Sequence, residues 1–350
     1  MKYIESVRNM DKRDFSIDIA RGIACLLVIV GHVPTTPSLL HTWIYSFHMP
    51  LFFIISGIVL NTNDSFPIFL KKRVKSLLVP YFALNLCVWI IETIIRVAGS
   101  VIAFQSIEAR IIFDNFVGTI IGYRLTNYYY ILWFVIALFF GVILAYGIAR
   151  IQNSCLWNVA IGISLIVCNA FLWRYVNGMP LSLDLVLLST GFILIGYSMR
   201  RFIVNVSHGK MDIIGIPLLA AGACVAFIGS RYYGDVDLYK CQMGGVFFLI
   251  ICSLLGSTGI LLIAKIVGRN RWIEFLSANS LAFYAFQNKL VIPVFDKAVS
   301  VVDRMVLNNR LIKIEWIFVC IGSIVVLSII SIIINKVAPW MVGKRTPEKK

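Results

Sequence analysis

This chain is poor in charge. Only 14% of its residues are Asp, Glu, Lys or Arg, and just 17 are acidic. With 59% hydrophobic residues, against roughly 45–50% in soluble domains, and a mean hydropathy of +0.87, an ordinary soluble globular protein is excluded. The period-two alternation of a membrane barrel is missing, which leaves helices as the spanning elements. The eight cysteines form no C-x-x-C pair and mostly lie in apolar stretches, so they read as small buried hydrophobes, not disulfides or metal ligands. No metal site is expected. There is no internal repeat of the kind many transporters carry. No G-x-S-x-G elbow surrounds any candidate serine nucleophile. The formal charge of +15 comes without a basic soluble domain, so nucleic acid is not an expected partner. Lys and Arg are better read as markers of cytoplasmic segments.

What is present is a series of long apolar runs. The fold class expected is an all-α polytopic membrane protein, with about ten helices around a polar internal cavity and both termini cytoplasmic. Residues 1–14 (with Lys2, Arg8, Lys12 and Arg13) are expected as a cytoplasmic leader. Residues 15–337 form a single transmembrane domain, and 338–350 form a basic cytoplasmic tail. The first apolar segment contains Asp18 and Arg21 and lacks an A-x-A exit, so it stays as helix 1 instead of being cleaved. The ten spans are placed near 15–33, 43–60, 77–97, 128–149, 155–173, 183–199, 213–229, 244–266, 275–295 and 314–337. A loop carrying Lys71, Lys72, Arg73 and Lys75 joins the second to the third. On this layout the inner segments hold twenty Lys and Arg against ten outside, as the positive-inside bias requires.

Helix 1 organises the rest. Arg21 and His32 are eleven positions apart, three turns plus about 20°, so both project from one face, separated by roughly 16 Å along the axis. Asp18 and Cys25 share that stripe. An ionisable group in lipid costs at least ~2.5–3.5 kcal/mol, so an intramembrane Arg or His reads as functional by default. His32 is the candidate general base, because its unperturbed pKa near 6.5 suits proton abstraction at neutral pH. A structural histidine bonded to nearby backbone is the competing reading. Arg21 is a candidate anion anchor, and a local pair with Asp18 is compatible with that role. The 16 Å separation approximates the reach of an extended pantetheine arm.

Other candidates are weaker. Lys71, Lys72, Arg73 and Lys75 could hold the phosphates of a nucleotide-bearing donor, or simply set topology and meet anionic lipid. His48, before Pro50, is a candidate substrate contact. Ser56 either orients a ligand or bonds its own preceding turn. Trp133 belongs to an aromatic run, Tyr128–Trp133, that by base rate is an interfacial belt. Asp184 is ambiguous between pathway and interface. Gln287, Asn288 and Lys289 interrupt the ninth helix and are expected to face inward.

At these residues the chain resembles the membrane acyltransferase-3 family, and most of all its fucose-4-O-acetylase-like branch. The resemblance rests on Arg21-Gly22 with His32 ten residues on, F-H-M-P-L-F-F-I-I-S-G at 47–57, and K-K-R-V-K-S-L-L-V-P-Y at 71–81. L-W-F-V-I-A-L at 132–138 and L-D-L at 183–185 fit more loosely. It implies acetyl-CoA as donor substrate, with no tightly bound cofactor. It also implies transfer to a sugar hydroxyl of a cell-envelope polysaccharide or its lipid-linked precursor, in a bacterial inner membrane. Arg21 and His32 become the essential pair, and Arg73 a position in the family's basic loop. One departure is Ala285-Phe286-Gln287, where members often carry a histidine. The resemblance leaves homo-oligomerisation open. The alternative reading from the residues alone is a transporter or flippase for a glycolipid or small anion. A sensor or scaffold is a third, but it would not need the intramembrane Arg and His.

Overall fold

The computed structural model describes residues 15–104, 106, 108–122, 132–152, 154–205, 214–306 and 314–344. The expected leader and the end of the expected tail lie outside the described residues. The protein is an all-α polytopic membrane protein. Nine helical stretches among the described residues are long and apolar enough to cross a membrane.

The first, α1 (Phe15–His32), is central. It packs against α3 (His48–Ile58), α11 (Val246–Val267) and the short α12 (Arg271–Ala278). A Cβ added at Gly22 would lie 2.3 Å from the Ile273 carbonyl oxygen. Only glycine lets α12 come this close beside Arg21. The second expected helix is two pieces. The α2 segment (Ser38–Tyr45) takes up most of what reads as an outer loop, and the chain turns at Ser46-Phe47 into α3. Helix α3 packs on α9 (Val186–Asn205). At that crossing a Cβ on Gly57 would sit 2.0 Å from the Ile193 carbonyl oxygen, and one on Gly196 2.1 Å from that of Ile54.

The basic cluster at 71–75 is not a loop. Helix runs unbroken from Phe66 through α4 (Phe66–Arg73), a π turn (Val74–Leu78) and α5 (Val79–Ile102). Pro67 near the start favours the first turn of α4. The lysines lower hydropathy without lowering helix propensity, so the charge cluster reads as a break that the backbone does not make. The expected outer segment after α5 contains α6 (Ala109–Ile121). Helices α7 (Trp133–Ile151), α8 (Cys155–Leu172), α10 (Gly215–Tyr233), α11 and α15 (Glu315–Val337) follow the expected spans within a few residues. The first five positions of the expected fourth span lie outside the described residues or in the turn before α7.

The expected helix at 275–295 is bent and subdivided. It comprises α12, α13 (Ser280–Phe286), a second π turn (Gln287–Val291) and α14 (Ile292–Val306). Asn279 breaks it between α12 and α13, and Lys289, Asp296, Lys297, Asp303 and Arg304 make its second half polar. That is why nine stretches, not ten, qualify as spans. Both π turns end two residues before a proline, at Pro80 and Pro293. Proline has no N–H to donate, and the bonding widens just upstream. The Val79 amide reaches the Val74 carbonyl, and that of Ile292 reaches Gln287. The one sheet among the described residues is a two-stranded hairpin, β1 (Val236–Asp237) with β2 (Gln242–Met243), in the loop before α11.

Candidate active site

Two cavities lie along α1. The larger, of about 330 Å³, is lined from α1 by Arg21, Cys25 and Val28, the positions a helix aligns on one face. Arg73 and Ser76 from the first π-turn region, Ser56 from α3, Ser277 from α12 and Gln287 from the second π turn add polar groups. Phe52, Phe134, Leu138 and Leu281 make much of the remaining wall. The smaller cavity, of about 220 Å³, is lined by His32, Tyr45, His48, Trp133 and the hairpin residues Asp237–Lys240. Met49 and Tyr284 line both cavities and form the boundary between them. The polar stripe of α1 is therefore shared between two abutting chambers. Arg21 belongs to one and His32 to the other.

Arg21 lies 3.4 Å from Asp18 through Nη1 and Oδ1. Asp18 is buried and lines neither cavity; its reach into the site is through the guanidinium. Of the basic cluster, only Arg73 enters the wall. Its guanidinium lies 5.1 Å from the Phe69 ring centroid, and its Nε is buried with no hydrogen-bond partner among the described residues. Lys71, Lys72 and Lys75 are exposed, and Lys72 pairs with Asp64 at 2.7 Å. Ser56 donates to the Phe52 carbonyl at 2.8 Å, the usual arrangement of a membrane serine, while still lining the cavity.

His32 Nδ1 lies 2.7 Å from the Val28 carbonyl oxygen, and His48 Nδ1 2.8 Å from that of Ile44. A carbonyl only accepts, so each Nδ1 carries the hydrogen, and each neutral ring keeps its Nε2 lone pair as a proton acceptor. The two rings are 6.4 Å apart and nearly perpendicular. Tyr45 packs beside both, at 5.9 and 5.0 Å, and stacks on His41 at 4.0 Å. The structural reading of His32 holds, and the backbone bond that carries it also fixes the ring's tautomer.

Trp133 lines the His32 cavity, 6.2 Å from the Tyr239 ring. Its neighbour Phe134 lines the Arg21 cavity, so the first turn of α7 borders both. Asp184 lies outside both cavities. Its Oδ2 accepts from the Gly178 amide at 3.1 Å and from Cys241 Sγ at 3.5 Å, tying a 3₁₀ turn (Pro180–Leu185) to the hairpin. The hairpin lies in 231–243, an outer segment expected from the sequence, with 98–127, to shape the acceptor site, but no single residue of it stood out there, and Tyr284 was not a candidate. Asp237 and Lys240 fall in a short loop, and an aromatic at 284 has no pattern that separates it from core. No group of histidine, cysteine and carboxylate side chains suited to a metal occurs among the described residues.

A family profile described as an acyltransferase domain matches residues 14–335. No curated protein matches the chain, and no solved structure does.

Proposed function

From the chain's membership of the acyltransferase-3 family, and hence its being an acyltransferase, we propose that it moves an acetyl group from acetyl-CoA to a sugar hydroxyl. The acceptor is a cell-envelope polysaccharide or its lipid-linked precursor, and the membrane is a bacterial plasma membrane. The observation that carries this reading is the division of one helix between two abutting chambers, with guanidinium groups lining one and imidazoles the other.

On this reading the donor occupies the Arg21 chamber. Its phosphates lie toward Arg21 and Arg73, with Lys71, Lys72 and Lys75 as an exposed basic rim that attracts them. That end is cytoplasmic, in keeping with the Lys and Arg bias. The thioester arrives at the boundary formed by Met49 and Tyr284. The acceptor occupies the His32 chamber, among His48, Trp133 and the hairpin. Nε2 of His32 takes the proton of the acceptor hydroxyl, and the oxygen attacks the acetyl carbonyl carbon. The carbon–sulfur bond breaks, and the CoA sulfur leaves and takes up the proton from the imidazolium. Direct transfer is the step proposed, because Ser56, Ser76, Ser277 and Ser280 line the donor chamber with no histidine among its lining residues to activate any of them as a nucleophile. The preference for the fucose-4-O-acetylase-like branch rests on the resemblance carried by Arg21-Gly22 with His32 and by the blocks at 47–57 and 71–81 together.

The test uses purified protein in liposomes, acetyl-labelled acetyl-CoA and envelope polysaccharide or its lipid-linked precursor. Base-labile label on the glycan is the expected result. Movement of a glycolipid or anion across the bilayer with no label on glycan would replace this reading with a transporter.

A further inference from the structure

The side chain that the chemistry above does not use is Gln287. It is 1% exposed, it lines the Arg21 chamber, and neither its Oε1 nor its Nε2 has a hydrogen-bond partner among the described residues. A buried amide left unpaired carries the full cost of losing its water, and such groups call for an explanation. Ser277, in the same chamber, also has a buried hydroxyl without a partner among the described residues. Gln287 begins the π turn upstream of Pro293, a backbone form common at functional sites.

We propose that Gln287 is a positioning residue for the acyl donor, and that its carboxamide pairs with a secondary amide of the donor's pantetheine arm. This rests on acetyl-CoA being the donor. A carboxamide offers an acceptor and a donor in one plane, and a secondary amide offers the complement. A phosphate would use the guanidinium groups instead. A polyhydroxylated sugar fits poorly beside Phe52, Phe134 and Leu138. A thin chain of methylenes interrupted by amides suits both the apolar wall and the unpaired polar atoms. Once paired, Gln287 fixes how far the thioester advances toward Met49 and Tyr284.

The experiment measures acetyl transfer by full-length purified protein, with acetyl-CoA and with two analogues in which one or the other pantetheine amide is an ester. Each ester keeps the carbonyl and removes the N–H. In the wild type, one analogue is expected to show a KM raised about 10-fold or more, with kcat within about threefold. Gln287→Met should raise the KM for acetyl-CoA at least as much, and in that variant the analogue should add no further loss, because the bond that the ester removes is already gone. Gln287→Asn should restore part of the loss. Equal KM values for acetyl-CoA and both esters in the wild type would overturn the proposal, even if Gln287→Met fails to fold. So would an unchanged KM in a well-folded Gln287→Met. No saturable turnover of acetyl-CoA in the wild type would instead remove the donor reading itself, and this proposal with it.

Discussion

Arg21 and His32 stand on one face of one helix and yet line two different cavities, which meet at Met49 and Tyr284. The arrangement suits a reaction whose two substrates come from opposite sides. It also makes the boundary residues as important as the charged ones.

Met49 is buried, and its flexible thioether is the side chain best able to yield at the boundary. Met49→Leu should keep most activity, since the swap nearly conserves volume. Met49→Trp should lower kcat by at least about 10-fold while donor affinity stays within about threefold, because the thioester would no longer reach the acceptor. Kinetics with equilibrium donor binding on the same preparations checks this.

Asp184 connects the hairpin to the 3₁₀ turn through Cys241 and Gly178. Asp184→Ala should loosen the hairpin that walls the His32 chamber. The KM for the acceptor should rise several-fold and that for the donor should not. Titration of each substrate at a fixed level of the other separates the two.

The crossing of α3 and α9 leaves no room for a methyl group at Gly57 or Gly196. Gly196→Ala should destabilise by about 1–3 kcal/mol or more and reduce the yield of folded protein. Gly99→Ala, with nothing within 4 Å of the added carbon, should be neutral or slightly stabilising by helix propensity. Thermal unfolding in detergent ranks the two.

Lys344 donates to Asn279 and Asn335, each at 2.8 Å, next to Val342 of the Arg21 chamber wall. Burial pulls its ammonium pKa below the ordinary 10.5. Between that lowered value and 10.5 the unfolded chain holds a proton that the folded chain has released. This group's contribution therefore makes stability rise with pH across the interval. Lys344→Met should flatten the alkaline side of the stability profile, as read from melting temperature against pH.

Much of this was legible in the sequence, for identifiable reasons. An Arg and a His at a spacing of eleven in an apolar run announce a polar stripe, because helical geometry leaves no other arrangement. Hydropathy located the long spans for the same reason. It failed at Lys71–Lys75, where charge interrupts hydrophobicity but not helix, and at 271–306, where Asn279 and a row of charges divide an otherwise helical stretch. Pro80 and Pro293 were visible, but the π turns before them were not, since a missing donor tells which bond is lost and not which replaces it. The division into two chambers was hidden for a different reason. It depends on Met49 and Tyr284 meeting across helices far apart in sequence, and neither residue type stands out alone. Gln287 appeared as an inward polar residue, and only packing shows that none of the described residues pairs with it.

The most direct test of the two-chamber account is donor binding measured beside transfer in His32→Ala and Arg21→Ala. His32→Ala is expected to bind acetyl-CoA within about threefold of wild type while transfer falls by about 10²–10⁴, and Arg21→Ala to lose donor affinity. Undiminished transfer in His32→Ala, or equal loss of donor binding in both variants, would contradict it.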